Sequence, residues 1–164
     1  MRPEPAPLGP GQESVWDYPR PPRLEAVSRR ARIHLGGQLI ADTADLVRVL
    51  ETSHPPVYYL PVEAFAAGAL SPGTGASYCE FKGGAAYLDV RGGGEVRPRA
   101  AWTYPRPSEG YEQLAGRVAV YAREMDLCTL DDVEVVPQPG RFYGGWITPE
   151  IVGPFKGVPG SLGW

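Results

Sequence analysis

The chain has 164 residues, 43% of them hydrophobic and 21% charged, which fits one globular domain of ordinary size. Its 21 Gly and 19 Pro approach the level of a disordered chain, but nine Tyr and four Trp argue for a packed fold. A net charge of −3 argues against a nucleic-acid partner, and the sequence has no apolar run near the roughly 18 residues of a membrane span.

The first twelve residues are rich in Pro and Gly and lack an apolar segment. We predict a disordered arm over residues 1–12 rather than a signal peptide. A single domain over residues 13–164 and a cytoplasmic location are therefore expected.

In the next part of the chain, apolar and polar residues alternate as is typical of β-strands. Residues 31–40 form two short runs joined at Gly36-Gly37, which predicts a hairpin because a Gly pair tolerates positive φ. A further strand is predicted over 46–51. The stiff corner at 52–56, which contains two prolines, leads into a short strand at 57–60.

The second half of the chain continues the β pattern with two interruptions. Residues 61–70 and 108–114 are candidates for short helices, since Pro61 and Ser108 suit helix starts. A second hairpin over 77–90 is predicted to turn at Gly83-Gly84. The remaining elements are a turn at 92–94 and strands at 100–104, 118–121 and 133–136. The sequence thus predicts a mainly β fold of two antiparallel sheets with one or two short helices.

The tail, residues 140–164, is rich in Gly and aromatic residues and cannot make a core of its own. Each large aromatic side chain buries roughly 150–250 Å² when packed. The tail is therefore expected to lie across the body of the domain, or across a partner subunit in a homodimer.

Four segments carry a family resemblance: LETSHPPVYYLP (50–61), YCEFKGGAAYLDV (78–90), AWTYPRP (101–107) and QPGRFYGGWITPEIVGPFKGVPG (138–160). Through them the chain resembles the domain-of-unknown-function 427 family over about residues 13–164. The resemblance implies a β-tent-like fold, in which two antiparallel sheets lean together and stay open at one end. Members are sometimes labelled nucleotidyltransferases, and relatives in the fold include zinc proteins, sulfoxide reductases and a domain that holds a drug in an aromatic cage. A shared fold does not determine function, which depends on the residues of the site.

Metal-dependent chemistry is poorly matched by the sequence. A structural zinc needs about four N, S or O ligands, whereas Cys79 and Cys128 stand alone and lie far in sequence from His34 and His54. Nucleotidyl transfer, kept as an alternative, needs a phosphate cradle, and the Gly run at 92–94 leads into a strand rather than a helix N-terminus. No metal and no cofactor are expected.

Two charged clusters are interpreted mainly as surface features. Asp131-Asp132 is typical of a solvated turn. The cluster of Arg29, Arg30 and Arg32 is either a solvated strand edge or a contact for phosphate or carboxylate.

Three polar residues are candidates for chemistry. Lys82 lies at the predicted hairpin tip and is either an ordinary turn residue or an anion contact and general acid. Glu51 either opposes Lys82 or accepts hydrogen bonds from the backbone of the corner that follows it. Cys79 is either a small buried hydrophobe or a nucleophile activated by His54 or Lys82.

Aromatic side chains give the strongest signal, because a ring-lined pocket with a few polar groups is a common small-ligand site. We expect this pocket in the space between the two sheets, with the remaining aromatic residues packed in the core. Because Tyr58 and Tyr59 are adjacent on a strand, they face opposite sides and at most one lines the pocket. The expected ligand-binding residues are Tyr58, Tyr87, Trp102, Tyr104, Tyr121 and Trp146.

The leading hypothesis is a domain that binds a small planar or anionic molecule, with Glu51 and Lys82 as the pair for proton transfer. Whether it is an enzyme is left open. The alternatives are a non-catalytic homodimerising module that uses the tail, and an enzyme that uses Cys79 or transfers nucleotides.

Overall fold

The computed structural model describes residues 2–164, and within them the chain forms fifteen β-strands and four short 3-10 helices. The strands are β1 (Glu13–Ser14), β2 (Arg23–Val27), β3 (Ala31–Leu35), β4 (Gln38–Thr43), β5 (Leu46–Leu50), β6 (Val57–Pro61), β7 (Leu70–Cys79), β8 (Gly83–Gly92), β9 (Glu95–Thr103), β10 (Arg117–Val120), β11 (Leu127–Leu130), β12 (Val133–Glu134), β13 (Val136–Pro137), β14 (Trp146–Ile147) and β15 (Ile151–Val152). The 3-10 helices are Val15–Asp17, Val62–Ala64, Glu112–Leu114 and Ala122–Glu124.

Two antiparallel sheets make up most of the fold. The larger has seven strands in the order β2-β5-β6-β10-β9-β8-β7, and the smaller has four in the order β12-β11-β3-β4. Two further pairs join the tail to the body: β13 with β14, antiparallel, and β1 with β15, parallel. No sheet closes into a barrel, and the predicted mainly β fold of antiparallel sheets is confirmed.

Both predicted hairpins are present. In the first, Leu35 pairs with Gln38, and both Gly36 and Gly37 have positive φ as the turn requires. In the second, Cys79 pairs with Gly83, so the turn is made by residues 80–82 rather than by the Gly pair. The Lys82 carbonyl accepts a hydrogen bond from the Ser108 backbone, 2.9 Å away, which holds the hairpin tip against the following loop.

The two predicted helices are each reduced to a single 3-10 turn, at Val62–Ala64 and Glu112–Leu114. After the first turn the chain runs along β4: Phe65 forms a β-bridge with Ala41, and the Ala66 backbone N–H donates to the Ile40 carbonyl at 2.8 Å. These tertiary hydrogen bonds replace those of a helix, which shows how packing overrides local propensity.

The four-stranded sheet packs on one face of the seven-stranded sheet. The buried side chains between them form the inter-sheet core, in which each large apolar side chain contributes roughly 1.5–3 kcal/mol. Its larger members are Ile33, Leu35, Ile40, Leu46, Tyr58, Leu60, Val90, Val118, Val120, Leu130 and Trp146.

The opposite face of the seven-stranded sheet carries a second, more aromatic cluster. Tyr59 belongs to it while the adjacent Tyr58 belongs to the inter-sheet core, so the prediction that they face opposite sides is confirmed. Its buried members are Val47, Val49, Tyr59, Ala85, Trp102, Tyr104, Tyr111, Leu114, Ala119 and Tyr121. Strands β5, β6 and β10 of the larger sheet thus carry buried side chains on both faces.

The tail packs on the body of its own chain. Trp146 is 1% exposed, and its Nε1–H donates to the Val120 carbonyl at 3.1 Å. Trp164 meets Trp16 edge to face, with ring centroids 5.6 Å apart. Residues 2–12 form no strand or helix, although the Ala6 backbone N–H donates to the Gly153 carbonyl at 3.1 Å. The disorder of the arm and the domain limits stay predictions.

Within residues 2–164, no helix is long and apolar enough to span a bilayer.

We expect replacement of Trp146 by Ala to lower the free energy of unfolding by about 3–5 kcal/mol, since it empties part of the inter-sheet core and leaves the Val120 carbonyl without its donor. Phe142 comes from the same tail but is 65% exposed, so its replacement by Ala should cost less than about 1 kcal/mol. Urea denaturation measures both values. Equal losses in the two variants would contradict the packing of the tail.

Candidate functional site

A cavity of about 300 Å³ lies on the aromatic face of the seven-stranded sheet. Its lining residues come from that sheet, from the loops that extend its strands, and from the tail. It therefore does not lie between the two main sheets, where the sequence analysis expects it, because the inter-sheet core fills that space. The residues that line it are Val49, Glu51, His54, Val57, Tyr59, Ser77, Tyr78, Cys79, Glu80, Phe81, Lys82, Ala85, Tyr87, Trp102, Tyr104, Tyr121, Gln138, Phe142, Tyr143, Gly144 and Lys156.

Five rings form the aromatic wall of the cavity: Tyr59, Tyr87, Trp102, Tyr104 and Tyr121. Strand pairing places Trp102 directly opposite Tyr87. The Trp102 Nε1–H donates to the Tyr59 hydroxyl at 3.1 Å, and the Trp102 and Tyr121 ring centroids are 4.5 Å apart. These contacts fix the positions of the rings relative to one another.

Three phenols of the aromatic wall, those of Tyr59, Tyr104 and Tyr121, stay uncharged. Burial raises the pKa of Tyr59 well above its ordinary value, and burial also raises the pKa of Tyr104 and of Tyr121. At neutral pH these side chains therefore offer hydroxyl groups and ring faces rather than negative charge.

The tail forms the other side of the cavity. A side chain at Gly144 would overlap the Trp102 ring, so only Gly allows the tail to lie this close to the wall. The Tyr121 hydroxyl donates to the Phe142 carbonyl at 3.0 Å, and the Arg123 guanidinium donates to the Tyr143 carbonyl at 3.2 Å. The segment around residues 142–144 is therefore anchored to the wall that it covers.

Charged and polar groups gather at one end of the cavity. Glu51 lies 3.3 Å from the Arg20 Nε and 4.0 Å from the His54 Nε2. The Lys82 amine lies 5.9 Å from the centre of the Tyr104 ring, within the range of a cation–π contact. The Lys156 amine lies 5.6 Å from the Tyr143 ring centre and donates to the Trp164 carbonyl oxygen at 3.1 Å.

The structure brings most of the expected site residues to this one cavity. Glu51 and Lys82 line it together, as do Tyr87, Trp102, Tyr104 and Tyr121. Tyr58 and Trp146 do not line it: they stack in the inter-sheet core with ring centroids 5.6 Å apart. The cause for Tyr58 is strand alternation, which turns it away from Tyr59.

Several polar and aromatic residues that line the cavity were not assigned to the site from the sequence, among them His54, Gln138, Tyr143 and Lys156. His54 was considered as a base for Cys79 and as a zinc ligand. The signal that could have found Gln138 and Tyr143 is the run of Gly and aromatic residues at 138–146, since two adjacent Gly between large rings indicate backbone packed closely against another surface.

The two cysteines have different surroundings. Cys79 is half-buried, lines the cavity and packs against the aromatic cluster. Cys128 is 2% exposed in the inter-sheet core, and burial raises the pKa of its thiol to about 12. Cys128 is therefore a packed, unreactive residue.

The arginine cluster and the acidic turn neutralise each other. Arg29 lies 3.2 Å from Asp131 and 2.7 Å from Glu150, and Arg32 lies 3.0 Å from Asp132. These pairs support the interpretation of the cluster as a strand edge. Among residues 2–164, no three His, Cys, Asp or Glu side chains are grouped so that they could hold a metal ion.

Comparison with known proteins identifies the family of the chain. No curated protein matches the chain. A family model described as "Domain of unknown function (DUF427)" matches residues 23–131, from the first residue of β2 to the residue after β11. The matched range contains the whole seven-stranded sheet and excludes the tail. Because the match covers more than half of the sequence, the chain belongs to the DUF427 family.

Proposed function

We propose that this domain binds a small planar molecule carrying an anionic group, with the ring system against the aromatic wall and the anion near Lys82. The observation that carries the proposal is that one cavity combines the five rings of the aromatic wall with two lysine side chains.

The size and walls of the cavity favour a compact planar ligand. A volume of about 300 Å³ is at the small end of the range for small-molecule sites. It suits one or two fused rings with a short substituent. Neutral Tyr and Trp rings stack with such a ligand, and each aromatic pair contributes roughly 0.5–1.5 kcal/mol beyond the buried area.

The charge at the polar end favours an anion. Across residues 2–164, the ion pairs between basic side chains and carboxylates are made by arginines, apart from the His54 contact with Glu51, and Lys82 takes part in none of them. Two carboxylates line the cavity, Glu51 and Glu80, and Glu51 is already paired with Arg20. A ligand anion would therefore meet the positive charge of Lys82, which no ion pair compensates.

Proton transfer is the reaction that these groups are best suited to perform. Glu51 accepts protons and Lys82 donates them, and both line the same cavity. A ligand with an acidic C–H or O–H bond between them is the substrate class we would test.

Two other hypotheses have less support. A homodimer through the tail needs free aromatic side chains, but Trp146 is buried in its own chain and Phe142 is the large exposed ring of the segment. Nucleotidyl transfer needs carboxylates free to hold metal ions, but Asp131 and Asp132 are paired with arginines.

We expect Lys82→Met to weaken the binding of 2-naphthoate about tenfold, since loss of one charge-assisted contact costs roughly 1.5 kcal/mol. The uncharged analogue 2-naphthamide should bind the wild type and the variant equally. Saturation-transfer NMR or quenching of tryptophan fluorescence measures the dissociation constants.

The control variant is Arg91→Met, which removes an exposed cation that does not line the cavity. Its affinity for 2-naphthoate should stay within twofold of the wild type. If 2-naphthoate binds the wild type no more tightly than 2-naphthamide, the anion site at Lys82 is wrong.

A further inference from the structure

His54 occupies the corner between β5 and β6, at the polar end of the cavity. Its backbone N–H donates to the Glu51 carbonyl at 3.0 Å, and its ring meets Tyr143 edge to face with centroids 4.7 Å apart. The side chain is 12% exposed. The ring is therefore held on several sides while it still faces the cavity.

The orientation of the Gln138 side-chain amide is fixed by two backbone groups. Its oxygen accepts from the Gly145 N–H at 2.9 Å, and its nitrogen donates to the Lys156 carbonyl at 2.8 Å. Exchanging the amide oxygen and nitrogen would place donor against donor and acceptor against acceptor. Gln138 is 2% exposed, so water cannot easily take the place of these partners.

This orientation determines the tautomer of His54. The second hydrogen of the Gln138 amide nitrogen points to the His54 Nδ1, 3.1 Å away. The Nδ1 must therefore accept a hydrogen bond, which leaves the proton of the neutral ring on Nε2. A proton on Nδ1 would face another N–H.

The charges around the ring also oppose its protonation. Lys156, Arg20 and Lys82 all act against a positive imidazolium, while Glu51 is the carboxylate that faces it. Burial, followed by the charges of these three cations, lowers the pKa of His54 to about 3. The ring is therefore neutral throughout the physiological pH range.

Within residues 2–164, the Nε2–H donates to no hydrogen-bond acceptor. The nearest carboxylate oxygen, on Glu51, is 4.0 Å from Nε2, beyond the 2.7–3.2 Å of a hydrogen bond. The donor thus sits at the polar end of the cavity, beside the amines that favour an anion.

We infer that the His54 Nε2–H is a fixed, uncharged hydrogen-bond donor that positions an oxygen of the ligand's oxyanion, a carboxylate or a phosphate. Lys82 provides positive charge near the oxyanion, and the His54 Nε2–H sets the direction of a hydrogen bond to it. Since the donor does not titrate, it serves the ligand equally at pH 5.5 and pH 8. The ligand half of this inference rests on the proposed function, whereas the tautomer does not.

The tautomer is tested without any ligand, by ¹⁵N NMR of the imidazole nitrogens. The chain has two histidines, and His34→Gln assigns their signals. We expect His54 to show a protonated Nε2 and an unprotonated Nδ1 from about pH 5 to pH 8. A proton on Nδ1, or a titration midpoint near the ordinary value of 6.5, would overturn the inference.

Gln138→Glu tests the cause of the tautomer. A carboxylate in place of the amide nitrogen would accept from Nδ1, so the variant's His54 should carry a proton on Nδ1 and titrate at a higher pH than in the wild type. The wild-type spectrum decides the tautomer even if this variant does not fold.

The ligand contact is tested with 2-naphthoate and 2-naphthyl phosphate, which separate carboxylate from phosphate recognition. His54→Phe keeps a ring but removes the donor, and His54→Gln places an N–H near the position of Nε2. We expect His54→Phe to weaken the preferred probe about tenfold, and His54→Gln to restore binding to within about threefold of the wild type. Binding of 2-methylnaphthalene, which has no acceptor, should not change.

Equal binding of the preferred probe by the wild type and His54→Phe would overturn the contact while leaving the anion site at Lys82 intact. If neither probe binds the wild type, the proposed function and the ligand half of the inference both fail, and the NMR result stands by itself.

Discussion

The cavity depends on the return of the chain across the aromatic face of the seven-stranded sheet, and the buried side-chain amide of Gln138 is one of the groups that hold this return in place. It connects three separate segments, since it accepts from Gly145 and donates to Lys156 and His54. Two backbone hydrogen bonds join the same corner to the tail, from the Trp146 N–H to the Pro56 carbonyl at 2.8 Å and from the Lys156 N–H to the Ser53 carbonyl at 2.9 Å. Together these contacts keep the tail over the aromatic wall.

The larger sheet has two faces with different roles. One face packs against the smaller sheet through a core dominated by aliphatic side chains, which provides stability. The other carries rings that are fixed by contacts with one another, and the tail covers them while leaving a space. Gly144 is central to this arrangement, because its missing side chain lets the tail approach Trp102 without filling the cavity.

Local sequence signals predicted the first hairpin, which turns at its Gly pair, and the opposite orientations of Tyr58 and Tyr59, which follow from strand alternation. The second hairpin was predicted as well, but its turn lies at residues 80–82, before the Gly pair. Strand alternation shows that Tyr58 and Tyr59 lie on opposite faces of the sheet, but it does not show which face packs against the second sheet. Tyr58 was therefore expected at the cavity. The contact of His54 with Gln138 joins positions far apart in the sequence. No local pattern reports such a contact, and the tautomer therefore required the structure.

The central claim is that a space walled by rings stays open between the seven-stranded sheet and the tail, with its polar end at Lys82 and His54. The most direct measurement is a crystal structure of the protein grown with 2-naphthoate. The account predicts density for the naphthalene ring beside Trp102, with the carboxylate toward Lys82 and the His54 Nε2. A structure in which the tail closes onto Trp102 and leaves no space, while the probe is absent or bound elsewhere, would contradict it.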